Sequence, residues 1–254
     1  MQPRRQKQND RQAQILQLLE KQERVSVAQL SALLETTEVT IRSDLSQLER
    51  DGKLMRVHGG AVRIQTQLKD DRTVNLVAKE TIAALAAQQI QDGDTIFINS
   101  GTTSVCVARA LKEKQSLNIV TNAIDVALEL ADVPTFRVLL LGGEINARYG
   151  FTYGGDAQEQ LRCYQANWAI LSVDGVSLEC GITTYHAEEA ILDRMMIAGA
   201  RGTLIVADSS KIGRAGFTRV IDCMPDLTLV TDAAAEYVMS ALSEADVQII
   251  AGGR

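Results

Sequence analysis

The chain has 254 residues, with 26 Lys and Arg against 32 Asp and Glu, four cysteines and two histidines. That length accommodates one small and one medium domain, each able to bury a core of its own. Cys106, Cys163, Cys180 and Cys223 form no CxxC pair, so free thiols in a reducing compartment are expected, and with so few histidines no metal site is expected. Residues 1–10 are too polar for a secretory leader and no apolar run nears membrane-spanning length, which makes the cytoplasm the expected location, with no membrane partner. The net charge of −6 divides unevenly. Residues 1–63 hold 11 basic and 8 acidic side chains, a net of +3, and the remainder hold 15 and 24, a net of −9. A basic part suited to phosphate joined to an acidic part repelled by it implies two tasks in two domains.

Taken in order, the first helix is expected to begin near Asn9 or Asp10, with Ile15, Leu18, Leu19 and Gln22 along one face. Ser26 and Gln29 have the spacing of a capping box, in which each side chain satisfies the other's backbone donor. The helix they open is expected to carry Val27, Leu30, Leu33 and Leu34 inward and to break at Glu35-Thr36-Thr37. Ile41, Leu45 and Leu48 then make a new apolar stripe, capped by Thr37. Asp51-Gly52 closes that helix, and residues 53–57 and 61–64 read as two strands around His58-Gly59-Gly60, where glycine supplies torsional freedom. A capped helix followed by a basic hairpin is the plan of a winged helix-turn-helix, whose recognition helix enters the DNA major groove. Thr37, Thr40, Arg42 and Ser43 on the helix, with Arg56 and His58 on the wing, are the expected DNA contacts. A small helical bundle used only for dimerisation is the alternative.

Residues 1–64 thus form the expected DNA-binding domain, the polar stretch 65–75 a linker, and residues 76–254 the second domain. The pattern turns helical over 76–90. Short apolar runs at 95–99, 118–121, 136–141, 167–173, 203–207, 227–231 and 247–251 then alternate with helical stretches near 103–114, 124–131, 157–164, 188–200 and 234–245. Buried strands separated by helices predict an α/β, Rossmann-like domain with a mostly parallel sheet. Five strand exits are polar or glycine-rich: Ser100-Gly101-Thr102-Thr103-Ser104, Asn122, Gly142-Gly143-Glu144, Asp174-Gly175 and Asp208-Ser209-Ser210-Lys211. In an open α/β sheet those ends share the edge at which ligands bind. The Ser100–Ser104 loop offers hydroxyls and a helix start to an anion such as phosphate, or is merely a capped turn. It lacks the GK[ST] lysine of a nucleotide P-loop, and no G-x-G-x-x-G fingerprint occurs. No cofactor is therefore expected, and a small phosphorylated molecule suits the loop better than ATP or NAD.

TIRSDLSQLERDGKLMRVHGGAV, KETIAALAAQQIQDGDTIFINSGTTS, VTN, LLLGGE, VDG, EEA and VADSSKIG, in that order, resemble the DeoR-type repressors of sugar metabolism. The resemblance covers nearly the whole chain. It implies a transcription regulator, read as a repressor, of a carbohydrate-utilisation operon. Its partners would be operator DNA and a phosphorylated sugar or related metabolite, and its sensor domain would be similar in fold to ribose-5-phosphate isomerase. Where such proteins commonly carry a second arginine after Arg42, this chain has Ser43. Symmetric operators further imply at least a homodimer. The expected effector residues are Ser100 to Ser104, Asn122, Gly142, Gly143, Asp174, Glu189 and Lys211.

The alternative function is an active sugar-phosphate isomerase fused to a DNA-binding module. Asp174 and Glu189 match two of that enzyme's carboxylates, but its second aspartate is replaced by Ser177. Its catalytic lysine has no counterpart either, since no lysine occurs from Gln115 to Ser210. A pocket without the group that stabilises an enediolate is expected to bind without turnover. Trp168 is expected in the core, and His186 near the pocket edge is either structural or a ligand.

Overall fold

The structure is a computed structural model, and it describes residues 11–19, 24–34, 36–50, 54–57, 60–63, 74–223, 226–233, 242 and 247–252. The chain divides into two compact units, Met1–Thr66 and Gln67–Arg254.

In the first unit, helix α1 (residues 11–19) precedes strand β1 (Arg24–Ser26), α2 (Val27–Leu33), α3 (Glu38–Arg50) and strands β2 (Leu54–Val57) and β3 (Gly60–Arg63). Ile15, Leu19, Val27, Leu30, Ile41, Leu45, Leu48 and Leu54 form its core, so the three apolar stripes meet. The capping box is formed: Ser26 accepts from the Gln29 amide and Gln29 from the Ser26 amide. Leu33 departs from expectation, standing 65% exposed on the last turn of α2. Gln22, Asp51-Gly52 and His58-Gly59 lie outside the described residues. Asp44 turns from α3 into the interior, where the Arg11 guanidinium on α1 pairs with it.

The hairpin β2–β3 is joined by β1, which pairs antiparallel with β3 and was not foreseen in the three residues Arg24–Ser26. That third strand also changes the role of Gly60. Its φ lies outside the left-handed range. A Cβ here would lie 2.1 Å from the Val25 carbonyl oxygen, so glycine is required for the close approach of β1.

The second unit is built on seven parallel strands in the order β15-β14-β12-β9-β4-β5-β6. These are β4 (Thr95–Ile98), β5 (Asn118–Thr121), β6 (Arg137–Leu140), β9 (Ala166–Ser172), β12 (Ala200–Val206), β14 (Leu227–Thr231) and β15 (Gln248–Ala251). All seven coincide with the apolar runs to within a few residues at either end. Alternate side chains feed opposite faces, as the strand period requires. Ile96, Ile98, Ile170, Leu204 and Val206 pack with α4 (Leu76–Gln88), α5 (Thr102–Ala110) and α6 (Ile124–Leu130). Phe97, Ala169, Leu171 and Ile205 pack with α7 (Gly155–Arg162) and α8 (Ala187–Ala198) on the other face. The sheet is thus doubly wound, and the order reverses between β4 and β9. The helix expected at 234–245 lies outside the described residues apart from position 242.

Two small antiparallel arrangements rise beyond the sheet. One pairs β7 (Glu144–Asn146) with β8 (Phe151–Tyr153), and the other orders β10 (Gly175–Ser177), β11 (Gly181–Thr184) and β13 (Thr218–Ile221). Asn75, at the start of α4, takes a left-handed conformation and donates through Nδ2 to the Asp208 carboxylate at 3.3 Å. Trp168 on β9 is half-buried, and its ring lies over Gly202, its register partner on β12. A Cβ at Gly202 would lie 2.6 Å from that ring. Gly202→Val should therefore displace the chain's single tryptophan, shift its emission to longer wavelength and lower stability by about 1–3 kcal/mol. Fluorescence-monitored denaturation measures both.

Candidate functional site

Two regions place polar groups outward on a built scaffold, one in each unit. On α3 the buried stripe leaves Thr37, Glu38, Arg42 and Ser43 exposed, with Thr40 half-buried beside them. Thr37 caps the helix: its Oγ1 accepts from the Thr40 amide at 3.3 Å and lies 2.9 Å from the Thr40 hydroxyl. Arg42 pairs with Glu38 one turn earlier at 3.2 Å. An exposed pair of this kind is weak, so the guanidinium can exchange its carboxylate for a phosphate or a base edge at little cost. Arg56 lies on β2 of the wing, and His58 is outside the described residues.

In the second unit the carboxyl edge of the sheet gathers Ser100, Gly101, Asp174, Glu189 and Lys211 into one chain of contacts at the β4/β9 reversal. Ser100 donates its hydroxyl to Glu189 Oε1. Thr184 bridges the two acids, with its Oγ1 3.2 Å from Glu189 Oε2 and 3.2 Å from Asp174 Oδ2. The Tyr185 amide donates to the same Asp174 oxygen at 2.9 Å, and Lys211 Nζ stands 3.8 Å from Asp174 Oδ1. Gly101 sits at φ +134°, and a Cβ there would lie 2.6 Å from Ser172 Oγ. Only glycine fits this seat, and it brings the backbone against β9. The helix that follows, α5, has no side-chain cap, leaving the positive end of its dipole to an external anion.

The remaining candidates occupy other surroundings. Thr102 is half-buried at the start of α5, whereas Thr103 and Ser104 are buried, and Ser104 donates to Asn99 Oδ1 at 3.1 Å. Ser104 thus lies under the loop as support. Asn122 is fully buried at the end of β5, donating to the Thr152 carbonyl at 3.2 Å, while its Oδ1 has no partner among the described residues. The Gly142 amide is already held by Gln160 Oε1 at 2.8 Å. Gly143, at φ +140°, lets the β7–β8 hairpin close in, since a Cβ would lie 2.4 Å from the Tyr153 carbonyl oxygen. Asn122 and the two glycines therefore surround the β7–β8 hairpin, and no described hydrogen bond joins them to the Ser100 group.

Three residues were missing from the sequence reading. Asn99 is fully buried and donates through Nδ2 to the Ser172 carbonyl and to Asp193 Oδ1, each at 3.0 Å, while its Oδ1 accepts from the Ser172 amide at 2.8 Å. Asp193, also fully buried, keeps Oδ2 without a hydrogen-bond partner among the described residues. Thr184 was hidden because it reaches the acids only through the small sheet of β10, β11 and β13. The polar strand-end residue Asn99 was the one available signal. His186, at the start of α8, packs its ring 4.1 Å from that of Tyr149 and 5.6 Å from that of Phe151. Burial holds its imidazole below the ordinary histidine range.

Burial dominates the electrostatics of the acids. It lifts Glu189 to about 7, with Asp174 adding to the rise and the Ser100 and Thr184 hydroxyls opposing it. Asp193 is raised well above the ordinary aspartate range by burial and then by Glu189, against the Asn99 bond. A carboxyl raised on folding binds its proton more tightly in the native state, so its contribution to stability falls as pH rises through the window from 4.5 to about 7. Glu189→Gln should therefore gain stability on the wild type as pH goes from about 5 to about 8, with the difference vanishing in acid. Chemical denaturation across that range measures it.

Comparison with known proteins gives a match at both ends of the chain. A family model described as the DeoR-like helix-turn-helix domain matches residues 11–67, and one described as the DeoR C terminal sensor domain matches residues 74–233. The glycerol-3-phosphate regulon repressor of Escherichia coli (strain K12) is 31% identical over 248 residues, covering 96% of this chain and 98% of its own. The HTH-type transcriptional repressor GlcR of Bacillus subtilis (strain 168) is 32% identical over 231 residues, covering 89% and 88%. Among solved structures, ribose 5-phosphate isomerase A of Methanocaldococcus jannaschii aligns over 54% of this chain and 55% of its own at 14% identity, with a TM-score of 0.41.

Proposed function

Because the chain belongs to the DeoR family of DNA-binding transcription regulators, we propose that α3 and the wing read an operator and that the Ser100–Asp174 edge senses a phosphorylated sugar or related metabolite. The observation that carries the first half is the division of α3 into a fully buried stripe and an exposed Thr37–Thr40–Arg42–Ser43 face. One arginine on that face leaves fewer bidentate base contacts than two would, so the wing arginine Arg56 takes a larger share of the grip on phosphate. A symmetric operator is matched by a symmetric pair of α3 helices, which makes the working species at least a homodimer.

For the second half, the uncapped α5 start and the glycine-only seat at Gly101 offer backbone donors to a phosphate. Lys211 and the Asp174 carboxylate, with two acceptor oxygens, suit the hydroxyl-bearing remainder of the molecule. A relative named for a glycerol-3-phosphate regulon supports a phosphorylated ligand of small size. The full-length relatives carry repressor names, and no lysine lies between Gln115 and Ser210 to stabilise an enediolate. The pocket is accordingly a sensor and not an isomerase. The ligand biases the chain toward the form with lower operator affinity, and the coupling is reciprocal.

The test uses a duplex selected from a random-sequence pool by the wild-type chain. Arg42→Ala should weaken its binding by about 1–3 kcal/mol and relax the sequence preference at the contacted position. Equal affinity of wild type and the Arg42→Ala, Arg56→Ala double variant for that duplex would remove this face from the interface.

A screen of sugar phosphates for release of the same duplex identifies the effector. Thr102→Ala should weaken that ligand by about 0.5–1.5 kcal/mol, and by up to roughly 3 kcal/mol if a charged hydrogen bond is lost. Lys211→Ala should weaken it at least as much. Both variants should hold DNA normally without ligand. Wild-type response of both to the effector would move the pocket elsewhere.

A further inference from the structure

The candidate pocket sets an anion seat against two buried acids, Glu189 and Asp193, whose described hydrogen bonds come from neutral hydroxyl and amide groups. Glu189 is 6% exposed and accepts the hydroxyl of Ser100, the first residue of the loop that would hold the phosphate. Its other oxygen shares the Thr184 hydroxyl with Asp174. One turn along α8, Asp193 is fully buried with an oxygen that no described group satisfies. The charged and titratable groups around this cluster are few. Asp174 follows β9, and Lys211 pairs with the far oxygen of Asp174. His186 and Glu188 lie at the start of α8, and Arg148 lies on the hairpin side beside Tyr149. Arg194, next to Asp193 on α8, acts on that acid, whereas the groups that act on Glu189 are the Ser100 and Thr184 hydroxyls and the Asp174 carboxylate.

A phosphate arriving at Ser100-Gly101-Thr102 would therefore bring negative charge to a desolvated carboxylate, which is strongly unfavourable unless that carboxylate is neutral. We propose that ligand binding and proton binding are coupled here: an anion at the Ser100–Thr102 loop is held together with one proton on Glu189, so the effector response is stronger on the acidic side of neutrality. The inference rests on the phosphate-site reading above and adds a second, smaller ligand to it. The proton comes from solvent, and no covalent bond is made or broken at the anion.

The sign follows from the free protein. Burial and Asp174 already lift Glu189 to about 7, and the anion lifts it further. Below that value the proton is present before the ligand arrives, and affinity is level. Above it the ligand must draw the proton in, and affinity falls by up to about tenfold per pH unit. A phosphate ester would confuse this reading, because its own second ionisation lies near pH 6. Inorganic sulfate keeps one charge state from about pH 6 to about pH 9 and is the cleaner probe.

The experiment is calorimetric titration of the full chain with sulfate over that range, in buffers of differing ionisation enthalpy. For the wild type, level affinity to about pH 7 and a fall of up to about tenfold per unit beyond it are expected, with proton uptake on the falling limb. Glu189→Gln should bind sulfate with a flat profile and no uptake linked to that limb. As a check independent of ligand, the infrared band of a protonated carboxyl should fade with a midpoint near pH 7 in the wild type, and that component should be missing from Glu189→Gln. Sulfate binding that is level across the range in the wild type, or a fall that persists in Glu189→Gln, overturns the proton coupling and leaves the anion site standing. Absence of sulfate binding at every pH overturns the site and this proposal together.

Discussion

The carboxyl edge of the parallel sheet in the second unit depends on Asn99. The ladder between β4 and β9 is regular as far as Ile98 and Ile170, after which the two backbones part to leave the crevice of a doubly wound sheet. The Asn99 side chain extends the ladder across the gap by donating to the Ser172 carbonyl and accepting from its amide. The same amide group steadies Asp193 below and takes the Ser104 hydroxyl from the first turn of α5. A buried asparagine with its donors and acceptors occupied is rigid, because every movement breaks a bond that water cannot replace. The Ser100–Gly101 turn inherits its position from that rigidity.

From this one tie the order of the site follows. With β4 and β9 pinned at their ends, Gly101 is pressed against Ser172 and Ser100 is aimed at Glu189. The chain leaving β9 then places Asp174 within reach of Thr184, which belongs to a separate small sheet. Two carboxylates, a lysine and an uncapped helix start thus come from four separate stretches of sequence. The repulsion between the two carboxylates is sustained by the packing of both faces of the sheet, each built from alternate residues of the same strands.

How much of this could be read from the sequence depended on the range of the interaction. The five inner strands of the main sheet were legible because each carries a run of consecutive buried apolar residues. The end strands β6 and β15, which bury none of theirs, were legible from apolar composition alone. The three helices of the first unit were legible for the same local reason, through stripes such as Ile41, Leu45 and Leu48. The short strands were not. Arg24–Ser26 and Gly175–Ser177 hold three residues each, too few for a period, and they exist because a distant partner offers its edge. Leu33 matched the helical spacing but projects past the side of α2 that the core covers. At the carboxyl edge the strand-exit rule pointed to Ser100, Gly101, Asp174 and Lys211, which the fold does bring together. It could not find Asp193 or Thr184, since an aspartate in mid-helix and a threonine in a hairpin resemble solvated positions until the fold brings Asn99 and Asp174 beside them. Gly60 was singled out for the wrong physical reason, because the strand that crowds it lies more than thirty positions earlier in the chain.

Asn75 gives the second unit a particular polarity. It is the residue before α4, and its side chain is fastened to Asp208, which follows β12 on the carboxyl edge of the sheet. The first helix of the second unit therefore begins beside the carboxyl edge of the parallel sheet. Measured along the chain, the distance from that fastening back to the last strand of the wing is a dozen residues. The start of α4 and the exit of β12 are thereby tied to each other by a side-chain hydrogen bond.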